Sequence, residues 1–285
     1  MKTLISMLRT NLTKLKHLPK WENIVPFLVM LIFVAATPPS SKKIYKKSIS
    51  TIVIDAGHGG HDPGCHGGDV REKEVTLAIA LSLGSKLKEQ MPDVKIIYTR
   101  SSDKFVELWE RAAIANKNNA DLFISIHCNS TKNTNINGTE TFAMGIHKAN
   151  DNLDVAKREN DVVMLEDNYL ERYEGFDPNS PESHIYFSLF QNAHMDQSLR
   201  LASRVENQIS KGINRPSRGV KQAGFVVLWK TKMPSILIET GFLSNKKDRE
   251  FLGSEKGVEE MSSAIALAVN EYKKSFEAIS SNKIN

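Results

Sequence analysis

The 285 residues are 40% apolar and 25% charged, enough for one globular domain of about 200–250 residues with a remainder. The net charge of +5 is unevenly placed: residues 1–50 hold nine Lys/Arg against Glu22 alone, so residues 51–285 are slightly acidic. The basic character is therefore no argument for a nucleic-acid partner, and none is expected. Two cysteines, Cys65 and Cys128, are too few for a disulfide scaffold.

Ile24–Ala36 is a 13-residue uncharged run behind the basic leader. It is shorter than the roughly 20 residues that span a bilayer and reads as a signal peptide over 1–36, cut after Ala36. An uncleaved N-terminal anchor is the alternative and the only membrane contact expected. Residues 37–50 read as a Pro/Ser/Lys linker. The product is expected to be exported, to the periplasm or cell envelope.

From residue 51 apolar runs alternate with helical periodicity. Ile52–Ile54 is a short buried strand, followed by Asp55 and the Gly-rich turn that presents His58. Glu72–Gln90 reads as a helix, Val94–Thr99 as a strand, Val106–Lys117 as a helix and Asp121–Cys128 as a strand. Gly138–Met144 reads as a strand, Ala193–Ser210 as a helix, Phe225–Trp229 and Ser235–Glu239 as strands, and Gly257–Phe276 as the closing helix. This alternation predicts a single α/β domain over 51–278, with a mainly parallel twisted sheet of about six strands covered by helices on both faces. Residues 279–285 read as a polar tail, and 146–190 as an irregular acidic insertion.

Three strands end in residues that carry chemistry: His58, His127 and Glu239. In a parallel sheet these ends share one edge, where ligands bind. Glu72, starting the helix after the first strand, returns to that edge. Two histidines and one glutamate form a zinc set with a fourth position open. Glu239 suits a base that is not a ligand. His61 and His66 lie near enough to be substitutes. Cys128 alternates with His127 and so faces the core as a buried thiol.

His58 in Ala-Gly-His-Gly-Gly, Glu72 in Arg-Glu-Lys-Glu-Val, His127 in Ser-Ile-His-Cys-Asn and Glu239 in Ile-Glu-Thr-Gly-Phe-Leu-Ser-Asn resemble the zinc amidase-3 type of N-acetylmuramoyl-L-alanine amidase. Gly138–Phe142, Thr99-Arg100 with Asp103, and Arg111 with Asn116 also resemble that family, over about residues 51–275. The family's Asp-Pro-Gly-His reads Asp55-Ala56-Gly57-His58 here. The resemblance implies Zn2+ held by His58, Glu72 and His127, with Glu239 catalytic. It also implies hydrolysis of the amide between N-acetylmuramic acid and L-alanine in peptidoglycan, for cell-wall remodelling or daughter-cell separation. A zinc peptidase acting on cell-wall peptides and a non-catalytic peptidoglycan-binding protein are alternatives on the same residues. Asn129 and Arg100 are candidates for substrate contact; Asn129 equally suits a turn cap.

The stretch 151–182 holds ten acidic residues against Lys157, Arg158 and Arg172. Some relatives of the family are kept inactive by an inserted helix over the zinc, released by a partner protein. If 151–173 is one continuous helix, Val162, Leu165, Tyr169 and Tyr173 share a face with Glu166. Glu166 is then the expected plug of an autoinhibitory lid, and an activator protein acting on 146–190 the expected partner. An acidic solvated loop is the alternative.

Overall fold

The computed structural model describes residues 48–146, 150–188 and 194–282. The expected leader and nearly all of the linker lie outside them. Strand β1 (Thr51–Ala56) leads through the short pair β2 (His66–Gly67) and β3 (Val70–Arg71) into α1 (Glu72–Gln90). Then follow β4 (Lys95–Tyr98), α2 (Leu108–Lys117), β5 (Leu122–Asn129) and β6 (Thr139–Met144). The insertion supplies α3 (Asn150–Asn160), a 3-10 turn at Asp161–Leu165, α4 (Tyr169–Arg172) and α5 (Pro181–Ser188). The chain closes with α6 (Met195–Asn207), β7 (Ser217–Ala223), α7 (Val226–Trp229), β8 (Ser235–Phe242), α8 (Lys246–Leu252) and α9 (Glu255–Asn282).

The six-stranded sheet has the order β4-β1-β5-β8-β6-β7. Every neighbouring pair is parallel except β6 with β8. The uninterrupted apolar runs reflect burial on both faces. Ile52, Ile54, Ile124, Ile126, Ile236 and Ile238 pack with residues of α1, α6 and α9 in one cluster. Val53, Phe123 and Leu237, one residue out of step, join Phe142, Phe225 and residues of α2, α7 and the insertion in the other. Side-chain alternation thus places Asp55, Ser125, His127 and Glu239 on the second face, and Cys128 in the first cluster as expected. Both cysteines are free.

Three boundaries differ from the expectation. Ile49 is buried and the Ser48 hydroxyl bonds Glu277, so the domain begins inside the supposed linker. The closing helix continues to Asn282, through most of the supposed tail. Phe225–Trp229 is not a strand: Val226–Trp229 is a helical turn, and polar Ser217–Ala223 is the strand. β7 is an edge strand, half-exposed along most of its length, so it lacks the apolar run that marked the others.

Candidate metal centre and active site

The turn after β1 is shaped by two buried arginines. Arg111 donates to the carbonyls of Ala56 and His58 and to Asp55 Oδ1 at 2.9 Å. Burial alone raises the Asp55 pKa, but Arg111 and the hydroxyls of Ser125 and Thr99 outweigh it and keep the carboxylate ionised. Arg100 donates to the carbonyls of Ala56, Gly57, Lys73 and Ser102. It is 1% exposed and committed to the backbone, so the expected substrate contact through Arg100 is replaced by a turn clamp. His58 has φ +59°, a left-handed conformation unusual for a residue with a side chain. A Cβ on Gly57 would sit 2.5 Å from the His127 ring, so only glycine lets the two histidines approach.

His58 Nε2 lies 3.0 Å from Glu72 Oε1, and His127 Nδ1 lies 3.3 Å from the same oxygen. The sequence-expected trio is therefore assembled by the fold. Glu72 is fully buried, and its two oxygens accept the N–H groups of Cys65 and Cys128 at 2.8 Å each. Ser125 donates to Asp55, so its oxygen accepts from His127 Nε2 at 3.1 Å, leaving Nδ1 unprotonated when neutral. His58 Nδ1 pairs with Asp62 at 2.8 Å, which likewise directs Nε2 to the centre.

A fourth group, unanticipated from the sequence, completes the set. Glu159, at the end of α3, places Oε2 2.8 Å from His127 Nδ1 and 3.3 Å from His58 Nε2. One ligand atom from each of His58, Glu72, His127 and Glu159 falls within 4.8 Å of all the others. His58 Nε2, His127 Nδ1 and Glu159 Oε2 are buried and make no aligned hydrogen bond despite this proximity. Groups crowded without mutual alignment are aimed at a common centre, as a cation requires. The donor set, two imidazoles and two carboxylates, fits a first-row divalent ion. Without an ion, burial opposes the charged imidazoles, but the carboxylates prevail and raise His127 to about 9.

Glu239 is fully buried beside this set, in register with His127. Its Oε2 has no partner, and its Oε1 is 3.4 Å from Arg158 Nη2. Burial, then the charge of Glu159, push its pKa well above the ordinary range, with Arg158 opposing. Arg158 also donates to Asn129 Oδ1 and the Ser130 carbonyl. Asn129 lies at the site, as expected, but is 1% exposed and occupied by Glu140, Ser130 and Arg158.

Glu166 does not reach the centre. Its carboxylate accepts the Leu108 N–H at 2.6 Å and the Tyr173 hydroxyl at 2.5 Å, capping α2 from a distance. The assumed continuous helix breaks at Asn160 into a 3-10 turn and then an extended Glu166, which rotates the register. Leu165, expected on the docking face, is half exposed. The buried face is instead Asn152, Val155, Ala156 and Glu159. The i, i+3 spacing of Val155 beside Ala156 from Asn152, with Glu159 four beyond Val155, was the signal available for it. His61 stacks on Phe105 and His66 is exposed on β2, so neither substitutes as a ligand.

Residues 52–271 match the N-acetylmuramoyl-L-alanine amidase family. The chain belongs to that family. It is 33% identical over 237 residues to the amidase AmiA of Escherichia coli strain K12, covering 82% of this chain and 79% of that one. Among solved structures it resembles the amidase AmiC2 of Nostoc punctiforme, with TM-score 0.59 and 31% identity over 80% of this chain and 98% of that one. The amidase from Clostridium difficile 630 superposes with TM-score 0.60 at 28% identity, over 80% and 98% respectively. The family's described activity makes this chain a peptidoglycan amidase, in agreement with the expected fold and enzyme class.

Proposed function

We propose that the chain is an exported zinc hydrolase that cuts the amide between N-acetylmuramic acid and L-alanine, and that the conformation described is its closed state. The observation that carries this reading is the convergence of His58 Nε2, Glu72 Oε1 and His127 Nδ1 beside the unpartnered oxygen of buried Glu239. His58, Glu72 and His127 would hold the ion. A bound zinc supplies Lewis-acid polarisation of a carbonyl and a lowered water pKa. Glu239 accepts a proton from the attacking water and returns it to the departing amine of L-alanine, a role suited to a carboxylate whose hold on a proton is strengthened by burial. Ser125 and Asp62 hold the imidazole tautomers, and Asp55, charged by Arg111, anchors Ser125.

The insertion is read as the lid. Glu159 occupies the fourth direction of the ligand set, while Arg158 faces Glu239. The same helix therefore covers both the ion position and the base. Val155, Ala156, Val162, Val163, Tyr173 and Phe176 hold it in the second core cluster. Opening is the task assigned to an activator protein, and an acidic solvated loop does not account for that burial. The leader supplies export, so that the enzyme meets its substrate in the envelope.

Digestion of purified peptidoglycan is expected to expose new L-alanine amino termini and leave glycan strands intact. Release of short sugars, or of D-alanine alone, would refute the assignment. His58→Ala and His127→Ala should each lose zinc and activity together, read by elemental analysis of the purified chain. Full zinc occupancy in either variant would remove that residue from the ligand set.

A further inference from the structure

A row of charge crosses the sheet from the candidate centre to its edge. β6 and β8 run antiparallel with Glu140 directly opposite Glu239, and opposed residues share a face. Glu140 is 2% exposed. Its Oε1 accepts Arg218 Nε and Lys221 Nζ, both from edge strand β7 and both at 2.6 Å, while its Oε2 accepts Asn129 Nδ2 at 3.0 Å. One carboxylate is thus surrounded by two cations. The nearby acid Glu206 bonds the hydroxyls of Thr139 and Thr141, which alternate with Glu140 and point to the opposite face.

Arg218 is constrained at two points and open at a third. Its Nε is held by Glu140, and its guanidinium lies 5.6 Å from the centre of the Phe242 ring. Its two terminal nitrogens donate to no other protein atom among the described residues, and the side chain is 34% exposed. Lys221, 19% exposed, stands beside it. A guanidinium fixed through Nε presents its two terminal N–H groups as a planar fork, the geometry that binds a carboxylate through both oxygens. β7 lies two strand spacings from β8, roughly 10 Å from the strand that carries Glu239.

We propose that Arg218, braced by Glu140 and assisted by Lys221, binds a free carboxylate on the leaving peptide about two residues beyond the scissile amide. This rests on the hydrolase reading above and names the substrate feature that this site selects. Two extended residues span about 7 Å, and a charge-assisted hydrogen bond of ~2.8 Å closes the rest of the roughly 10 Å to the fork. In a stem peptide whose second residue is glutamate linked through its side-chain carboxyl, the α-carboxylate is free at that position. A neutral glycan strand offers Arg218 no charge partner.

The test uses the full chain carrying Glu159→Ala and two synthetic muramoyl-L-alanyl-γ-glutamyl substrates, one with the α-carboxylate free and one with it amidated. The free acid is expected to be preferred roughly tenfold or more in kcat/KM, mostly through KM. Arg218→Gln should remove the preference while leaving turnover of the amidated substrate near its starting value. Arg218→Lys should retain the charge and part of the preference, and it serves if the Gln variant folds poorly. An equal loss on both substrates would make Arg218 a structural partner of Glu140 and overturn the proposal. So would a parent chain that cleaves both substrates equally. A parent chain that cleaves neither substrate but binds zinc would overturn the hydrolase reading itself, and this inference with it.

Discussion

Glu239→Gln is expected to keep its zinc and lose turnover by about 10²–10⁴. Glutamine preserves the shape of a side chain that is fully buried on β8 between β5 and β6, with one hydrogen bond among the described residues, to Arg158. It cannot accept and return a proton. The proposed ligands His58, Glu72 and His127 keep their own anchors in Asp62, the Cys65 and Cys128 amides, and Ser125, none of which involves Glu239. Metal content and catalysis should therefore separate in this variant, whereas in the histidine variants they fall together. Steady-state kinetics on a soluble muramoyl-peptide, with zinc measured on the same sample, checks both halves. Near-normal turnover with Gln at 239 would assign the proton transfer to another group.

Glu159→Ala is expected to raise basal activity about ten- to hundredfold. A charge-assisted contact contributes ~1.5–3 kcal/mol, and each 1.4 kcal/mol withdrawn from a closed state changes the open fraction tenfold. The substitution removes the oxygen that faces both imidazoles and also the partner that holds Arg158 at 3.0 Å. Among the described residues Arg158 then keeps Asn129, Ser130 and Glu239 itself as partners, without the charge of Glu159. The apolar packing of the lid is untouched, so the fold should be retained, with circular dichroism and thermal melting near the parent's. Unchanged or reduced activity, with zinc and folding intact, would make the insertion a structural cover rather than an obstacle. Glu166→Ala provides the contrast. It leaves the Leu108 N–H and the Tyr173 hydroxyl without their partner and is expected to lower the melting temperature.

The residues that define the centre were legible in the sequence because each belongs to a local pattern. His58, His127 and Glu239 close uninterrupted apolar runs, and such runs in a parallel sheet end at a common edge. Glu72 opens the helix that returns there. The core assignment of Cys128 followed from the two-residue period alone. Glu159 carried no such mark. Its role depends on where α3 stops, and a run without Pro or Gly does not reveal that the helix gives way to a 3-10 turn at Asp161. Sequence periodicity measures the angle between residues within one helix, so a break shifts every later residue to another face. In the closed-lid reading proposed above, that shift moves the plug from Glu166 to Glu159; it makes Glu166 a cap for a helix 58 residues earlier. The same limit applied to Arg100, a candidate for substrate contact in the sequence, which the fold commits to four backbone carbonyls. It applied also to β7, where polar Arg218 and Lys221 sit in an edge strand that hydropathy does not detect. Local patterns determined which residues stand at the sheet edge. Only long-range packing decided which of them face the centre, because charged side chains take their partners from elements far away in the chain.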